Sequence, residues 1–195
     1  SIADDSIRKF IGALSDGSST FSIRMTGKIE QLKHQDYSGK RIHVVISDAQ
    51  GSSIETKVDI GVHNLVSPDL AEICFDLGKL DDAVTILADS NEQVVAEKLR
   101  SLLRIGAAST RYKDVFDIYY LLCKKGVRER ELDDAVRALV IEDPTMRERS
   151  YGDIANRLSR VFGDRRFKRE LSRAKNNWLE ISPDKVTSAI TAYFS

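Results

Sequence analysis

The sequence predicts an α+β fold in which an antiparallel-rich sheet lobe, residues 1–89, precedes a helical bundle lobe, residues 90–195. Three observations carry that prediction. Between residues 20 and 62 apolar and polar side chains alternate in runs separated by turn sequences, the pattern of half-buried strands. From residue 90 onward apolar residues recur at helical spacing in segment after segment. Within that half, the stretch from Val115 to Leu122 is apolar nearly all round, which marks a helix buried at the centre of a bundle.

Residues 5–14 form a short amphipathic helix, with Ile7, Phe10, Ile11 and Leu14 on one face and Asp4 or Asp5 placed to cap it; Gly17 to Thr20 ends it. Thr20–Gln31 alternates through Phe21, Ile23 and Met25. Arg41–Ser47 follows a turn at Tyr37-Ser38-Gly39-Lys40, and Ser53–Val62 follows Asp48-Ala49-Gln50-Gly51-Ser52. These three read as an antiparallel meander with one buried face. Leu70–Leu77 and Ala83–Ala88 each fit a short strand.

The first bundle helix carries Val94, Val95, Leu99, Leu102 and Leu103 in one arc; the second opens near Thr110 and runs to Leu122. Residues 130–141 form a further helix through Leu132, Val136, Leu139 and Val140, ended by Asp143-Pro144. Tyr151–Phe162 and Phe167–Leu179 are two more, and Pro183 opens a last one that runs to Phe194. On this reading the C-terminal half is helical throughout. Phe167 and Trp178 are expected to pack inside the bundle, because aromatics at helical spacing usually belong to a core; stacking on a base is the alternative.

Composition excludes several classes of function. No apolar run approaches the roughly 20 residues of a spanning helix, and the N-terminus lacks a basic-then-apolar signal. Cys74 and Cys123 have neither zinc-site spacing nor the density of a disulfide scaffold, and read as reduced, buried residues of a cytoplasmic protein. No local motif suggests a Ser/His/Asp set. Net charge is zero, yet residues 1–89 carry 9 basic against 14 acidic side chains and residues 90–195 carry 21 against 16. The stretch 147–175 holds ten basic residues and four acids, and a positive face suits nucleic acid. A solvated helix face laced with ion pairs is the alternative.

The candidate site lies where charge interrupts an apolar pattern. Lys98 falls inside the arc of the first bundle helix, one turn from Val94 and from Leu102, so it must snorkel or meet an anion. Asp114 and Asp117 each stand one turn before an apolar residue of the buried helix, where an unpaired carboxylate is costly. Arg111, Asp114 and Asp117, at i, i+3 and i+6, could form a local ladder, and Lys98 could pair with Glu97 or Asp114. Asp59 sits in a strand centre between Val58 and Ile60, pointing away from both, either onto a wet surface or into a site. His63, just beyond, could contact a phosphate.

Ala96-Glu97-Lys98-Leu99, a glycine-containing turn, and then Arg111-Tyr-Lys-Asp-Val-Phe-Asp-Ile-Tyr-Tyr-Leu121 together resemble the AbiEii/AbiGii toxin family of nucleotidyltransferases. Members of that family carry an A-E-K-L helix followed by R-x-K-D-x-x-D. The strand Lys57–Leu65, KVDIGVHNL, resembles the family's strand-borne acid. The resemblance implies a nucleotidyltransferase-like sheet lobe, incomplete at its N-terminus. It implies a toxin that uses Mg²⁺ and a nucleoside triphosphate to transfer a nucleotide to an RNA acceptor such as tRNA, opposed by a cognate antitoxin. By position, Asp59 matches the third metal-binding strand carboxylate and Lys98 the nucleotide-contacting lysine. Arg111 and Lys113 lie beside the nucleotide, and Asp114 and Asp117 act with Lys98. Arg165, Arg166, Lys168 and Arg169 would face the RNA.

The family also carries a Gly-Ser turn followed about ten residues later by Asp-x-Asp. Neither Gly17-Ser18 nor Gly51-Ser52 is followed in that way. Together with the start at Ser1, this makes a truncated or degenerate transferase the expectation, with a non-catalytic nucleotide-, RNA- or protein-binding module as the alternative.

Overall fold

The computed structural model describes residues 3–16, 20–33, 38–62, 71–75, 84–173 and 175–195, and the fold is α+β, a small antiparallel sheet followed by helices. Two compact units divide the chain, Ser1–Val66 and Ser67–Ser195.

In the first unit, helix α1 (Asp4–Asp16) begins with Asp4 and Asp5 at the positive end of its dipole. Strands β1 (Phe21–Lys33), β2 (Ser38–Asp48) and β3 (Ser53–Val62) pair antiparallel in chain order. Asp48 builds the β2–β3 turn: its side chain accepts the backbone N–H of Gln50 and of Ser52, while Gly51 supplies a φ of 88°. Strand alternation then sorts the side chains. Ile42 and Val44, with Ile23, Met25, Ile29 and Ile60 around them, bury Ile7 and Ile11 of α1. Each such isoleucine contributes about 1.5–3 kcal/mol of burial. Arg41 and His43, paired in register with Asp59 and Lys57, take the opposite, charged face. Phe10 and Leu14, expected on the buried face of α1, are exposed instead. That face meets the sheet only along the line of Ile7 and Ile11.

In the second unit, β4 (Ala71–Phe75) and β5 (Val84–Ala88) form an antiparallel hairpin. Helix α2 (Asn91–Ile105) is capped by Ser90, whose hydroxyl accepts the Gln93 N–H, and ends at Gly106 with a φ of 66°. After a 3₁₀ turn (Gly106–Ala108), α3 (Tyr112–Tyr120) runs into a π turn at Leu121–Lys125. Helix α4 (Glu129–Val136) also ends in a π turn, Arg137–Ile141. Helices α5 (Tyr151–Gly163), α6 (Arg165–Leu171) and α7 (Pro183–Tyr193) complete the bundle. Val115, Phe116, Ile118 and Tyr119 of α3 are buried among Leu99, Leu103, Ile154, Leu158, Phe167 and Ile190, so α3 is the central helix that its apolar run predicts.

Three expectations are corrected. The segment 167–179 is not one helix: α6 stops at Leu171, and the Glu170 carbonyl that another helical turn would have used accepts from the Arg173 N–H and the Asn176 amide instead. Trp178 therefore sits in the turn beyond α6, 49% exposed, while Phe167 is fully buried as expected. Cys74 and Cys123 are free and exposed rather than buried. Glu72 and Ile73 beside Cys74 are exposed as well, and Cys123 lies on the outer side of the π turn with Lys124 and Lys125. His63 lies outside the described residues.

Candidate functional site

Lys98 stands on α2, and Asp114 and Asp117 stand one turn apart on α3, packed beside it. The Lys98 ammonium donates to Asp114 Oδ1 at 2.6 Å and to Asp117 Oδ2 at 2.9 Å. The sequence left Glu97 and Asp114 open as partners. The structure gives Lys98 both α3 aspartates, while Glu97 accepts from the Gln93 amide at 2.9 Å. Arg111, just ahead of α3, reaches the second oxygen of Asp114 at 3.5 Å, and its backbone N–H donates to the buried Ser109 hydroxyl. At the other end, Asp117 Oδ1 accepts the indole N–H of Trp178 at 2.9 Å. The result is one connected line: Arg111, Asp114, Lys98, Asp117, Trp178.

Its electrostatics follow from partial burial. The Lys98, Asp114 and Asp117 side chains are 24%, 18% and 32% exposed. Burial works against the Lys98 charge, but its hydrogen bonds to Asp114 and Asp117, and their charge, outweigh that penalty. The ammonium is therefore held above the ordinary lysine range. An ammonium has three N–H donors. Two are spent on the aspartates, and one is left for an incoming oxygen. Lys113, on the same turn of α3, is exposed and has no partner among the described residues, so the cluster of three cations and two carboxylates is net positive.

A family model described as Nucleotidyl transferase AbiEii toxin, Type IV TA system matches residues 3–187, and so includes every residue of this cluster. The chain belongs to this family. Membership makes the chain a nucleotidyl transferase toxin by family and implies a cognate antitoxin. No curated protein and no solved structure gives a significant match. No helix among the described residues is long and apolar enough to cross a membrane.

The AbiEii resemblance also singled out Asp59 and the basic stretch. Asp59 lies on the charged face of β3, where both oxygens are held by Arg41, at 2.6 and 2.8 Å. Among the described residues no group of three His, Cys, Asp or Glu side chains could hold a metal ion.

Within the basic stretch, two groups of residues differ in their contacts. Arg149 donates to the carbonyls of Ile141, Asp143 and Met146 and so ties the turn that follows the second π turn, and Arg157 lies over Gly106 and donates to the Leu103 carbonyl near the end of α2. Arg165, Arg166, Lys168 and Arg169 are exposed on α6 around the buried Phe167. Lys168 and Arg169 have only loose acidic neighbours, at 3.7 and 3.8 Å, and Arg165 and Arg166 have none among the described residues.

Sequence reasoning favoured a buried place for Trp178 over base stacking, and it missed Ser109. The pair Asn176-Asn177 was the available signal, since adjacent asparagines favour a turn over a continued helix. Ser109 carried no signal, because its role depends on the fold of a turn.

Proposed function

We propose that the Lys98 cluster is the nucleotide site of a transferase that moves a nucleotide from a nucleoside triphosphate to an RNA acceptor such as tRNA. The observation that carries this reading is the Lys98 ammonium, fixed by two aspartates from a neighbouring helix and left with one free donor. Lys98 binds a triphosphate oxygen as a point charge. Arg111 and Lys113 add positive charge along the approach, and Asp114 and Asp117 hold the ammonium charged and in place. The exposed basic side chains Arg165, Arg166, Lys168 and Arg169 take the RNA backbone.

Mg²⁺ supplies charge neutralisation on the triphosphate in phosphoryl-type transfer. This reading gives Asp59 to that ion, but the Asp59 oxygens are engaged by Arg41 and no metal-binding group occurs among the described residues. These residues do not by themselves fit a divalent ion. The engagement of both Asp59 oxygens by Arg41 favours a second reading, a binding module that holds nucleotide or RNA, or a protein partner, without turnover.

Labelled nucleotide incorporation into total tRNA by the full-length protein, measured beside its Lys98→Ala form, separates the two. Incorporation that is lost in Lys98→Ala supports the transferase. Nucleotide binding without incorporation by any of the four nucleotides selects the binding module, and no nucleotide binding removes the Lys98 site from both. For the RNA face, Glu at Arg165, Arg166 and Arg169 is expected to lower RNA affinity and flatten its salt dependence, since each lost phosphate contact reduces the slope by about one. Unchanged affinity would take α6 out of the RNA surface.

A further inference from the structure

The Lys98 cluster ends on an aromatic residue that the charge network does not need. Trp178 donates its indole N–H to Asp117, and that bond aims the ring; yet the residue is 49% exposed. Tyr120, also exposed, sits beside it with ring centroids 5.5 Å apart and tilted by 58°. Burying an indole beside apolar neighbours is the ordinary use of tryptophan. Here the fold does the opposite and holds the ring out.

The turn that carries Trp178 is built for that placement. Asn176, 8% exposed, anchors its start by donating to the Glu170 carbonyl at 2.9 Å. Asn177 closes its far side, donating to the Ile181 carbonyl at 2.8 Å and accepting the Ile181 N–H. Between them Glu180 takes a φ of 54°, the one non-glycine residue with positive φ among the described residues. A non-glycine residue stays in that region only when surrounding bonds over-determine it, and such residues gather at functional sites.

We propose that the exposed indole of Trp178, steadied by Asp117 and flanked by Tyr120, is the stacking platform for the base of the nucleoside triphosphate. The inference rests on the nucleotide reading of Lys98 and adds what that reading lacks, a partner for the base. One carboxylate binds both the ammonium and the indole, so the cation and the ring lie within about two hydrogen-bond lengths and a carboxylate width of each other. A nucleotide that places phosphate on Lys98 then brings its sugar and base toward the ring. Stacking on an aromatic face tolerates any base, so the platform contributes affinity and leaves the choice of nucleotide to other contacts.

Trp178 is the single tryptophan of the 195-residue chain, so its emission reports on the platform directly. The experiment titrates the chain, and its Trp178→Ala and Trp178→Phe forms, with the four nucleoside triphosphates, inorganic tripolyphosphate and single-stranded RNA. Emission and calorimetric affinity are both read. The platform predicts that nucleotides quench Trp178 while tripolyphosphate binds without quenching. It also predicts that Trp178→Ala weakens nucleotide binding about tenfold, that tripolyphosphate affinity is unchanged, and that Trp178→Phe keeps most of the nucleotide affinity.

Nucleotide binding that neither quenches Trp178 nor weakens in Trp178→Ala would overturn the platform and leave Lys98 as a phosphate site. Quenching by RNA and not by nucleotides would also overturn it, by giving the ring to the acceptor. No binding of nucleotide or tripolyphosphate would overturn both the platform and the nucleotide reading beneath it. Retained tripolyphosphate binding shows that a variant has folded. If Trp178→Ala fails that check, quenching of the parent chain and the Trp178→Phe affinity decide.

Discussion

The two units each hold a carboxylate paired to a cation, and the pairs differ in what surrounds them. Asp59 and Arg41 face each other across β3 and β2 in a two-pronged pair, on the sheet face away from α1, with side chains 48% and 34% exposed. Lys98 lies between two aspartates on a partly buried helix pair, and the network continues to Arg111 and Trp178. The sheet pair is closed: its best donors and acceptors are used on each other, and water screens the charge. The helix cluster is open, with a spare donor on Lys98 and an exposed lysine one residue before Asp114. Geometry alone does not separate them, since the sheet pair is the better aligned. Partial burial and an unused donor are what turn charge into a ligand site.

The largest effect is expected at Lys98. Lys98→Ala leaves Asp114 and Asp117 side by side without their shared cation. Breaking a fully buried pair costs about 3–5 kcal/mol, and water reaching a quarter of Lys98 lowers that to about 2 kcal/mol here. Chemical denaturation should show this loss with a native far-ultraviolet spectrum retained. The pH dependence gives the sign independently. The Lys98 pKa is raised on folding, so its contribution is fully present below the unfolded lysine value and is lost as pH rises through the folded one. Stability of the parent chain should fall more steeply above about pH 10 than that of Lys98→Ala. Parallel curves would mean that the aspartates do not hold the ammonium, and the contrast between the two regions would collapse.

How far these features were legible varies with what encodes them. The β1–β3 meander is written in local alternation, since Ile42 and Val44 must face one way and Arg41 and His43 the other. The Lys98 cluster is legible for a related reason: a charge inside an apolar arc at fixed helical spacing needs a partner, and α3 offers two one turn apart. The exposure of Trp178 was hidden because helical spacing can be traced from Phe167 to Leu179, whereas the Glu170 carbonyl at the end of α6 is taken by the Arg173 N–H and the Asn176 amide. Arg149 and Arg157 read as part of a basic stretch because their acceptors are backbone carbonyls, three of them between Ile141 and Met146 and one at Leu103. Sequence spacing carries side-chain periodicity; it does not carry which carbonyls the fold leaves in need of a donor, whether in a nearby turn, as for Arg149, or at the end of a helix remote in sequence, as for Arg157. The exposure of Cys74 belongs with these, since an apolar neighbourhood in sequence became an uncovered hairpin.

The smallest effect is expected at Asp59, where it also sharpens the comparison most. Asp59→Asn keeps the shape of the side chain and removes its charge, leaving Arg41 free to turn toward water. An exposed pair of this kind rarely shows in unfolding, even when its two hydrogen bonds are well formed, because solvent takes over what the partner gave. The thermal midpoint of the first unit should therefore be unchanged, whereas Ile7→Ala, which empties a buried position against Ile42 and Val44, should lower it clearly. Incorporation assays on the same Asp59→Asn protein then carry the information. Lost incorporation with an unchanged midpoint would place Asp59 in the chemistry, with Arg41 as the partner it gives up when the substrate arrives. Unchanged incorporation would leave it as a solvated pair. A lowered midpoint would show that the sheet pair stabilises its unit as the helix cluster does, and partial burial would no longer be the property that separates them.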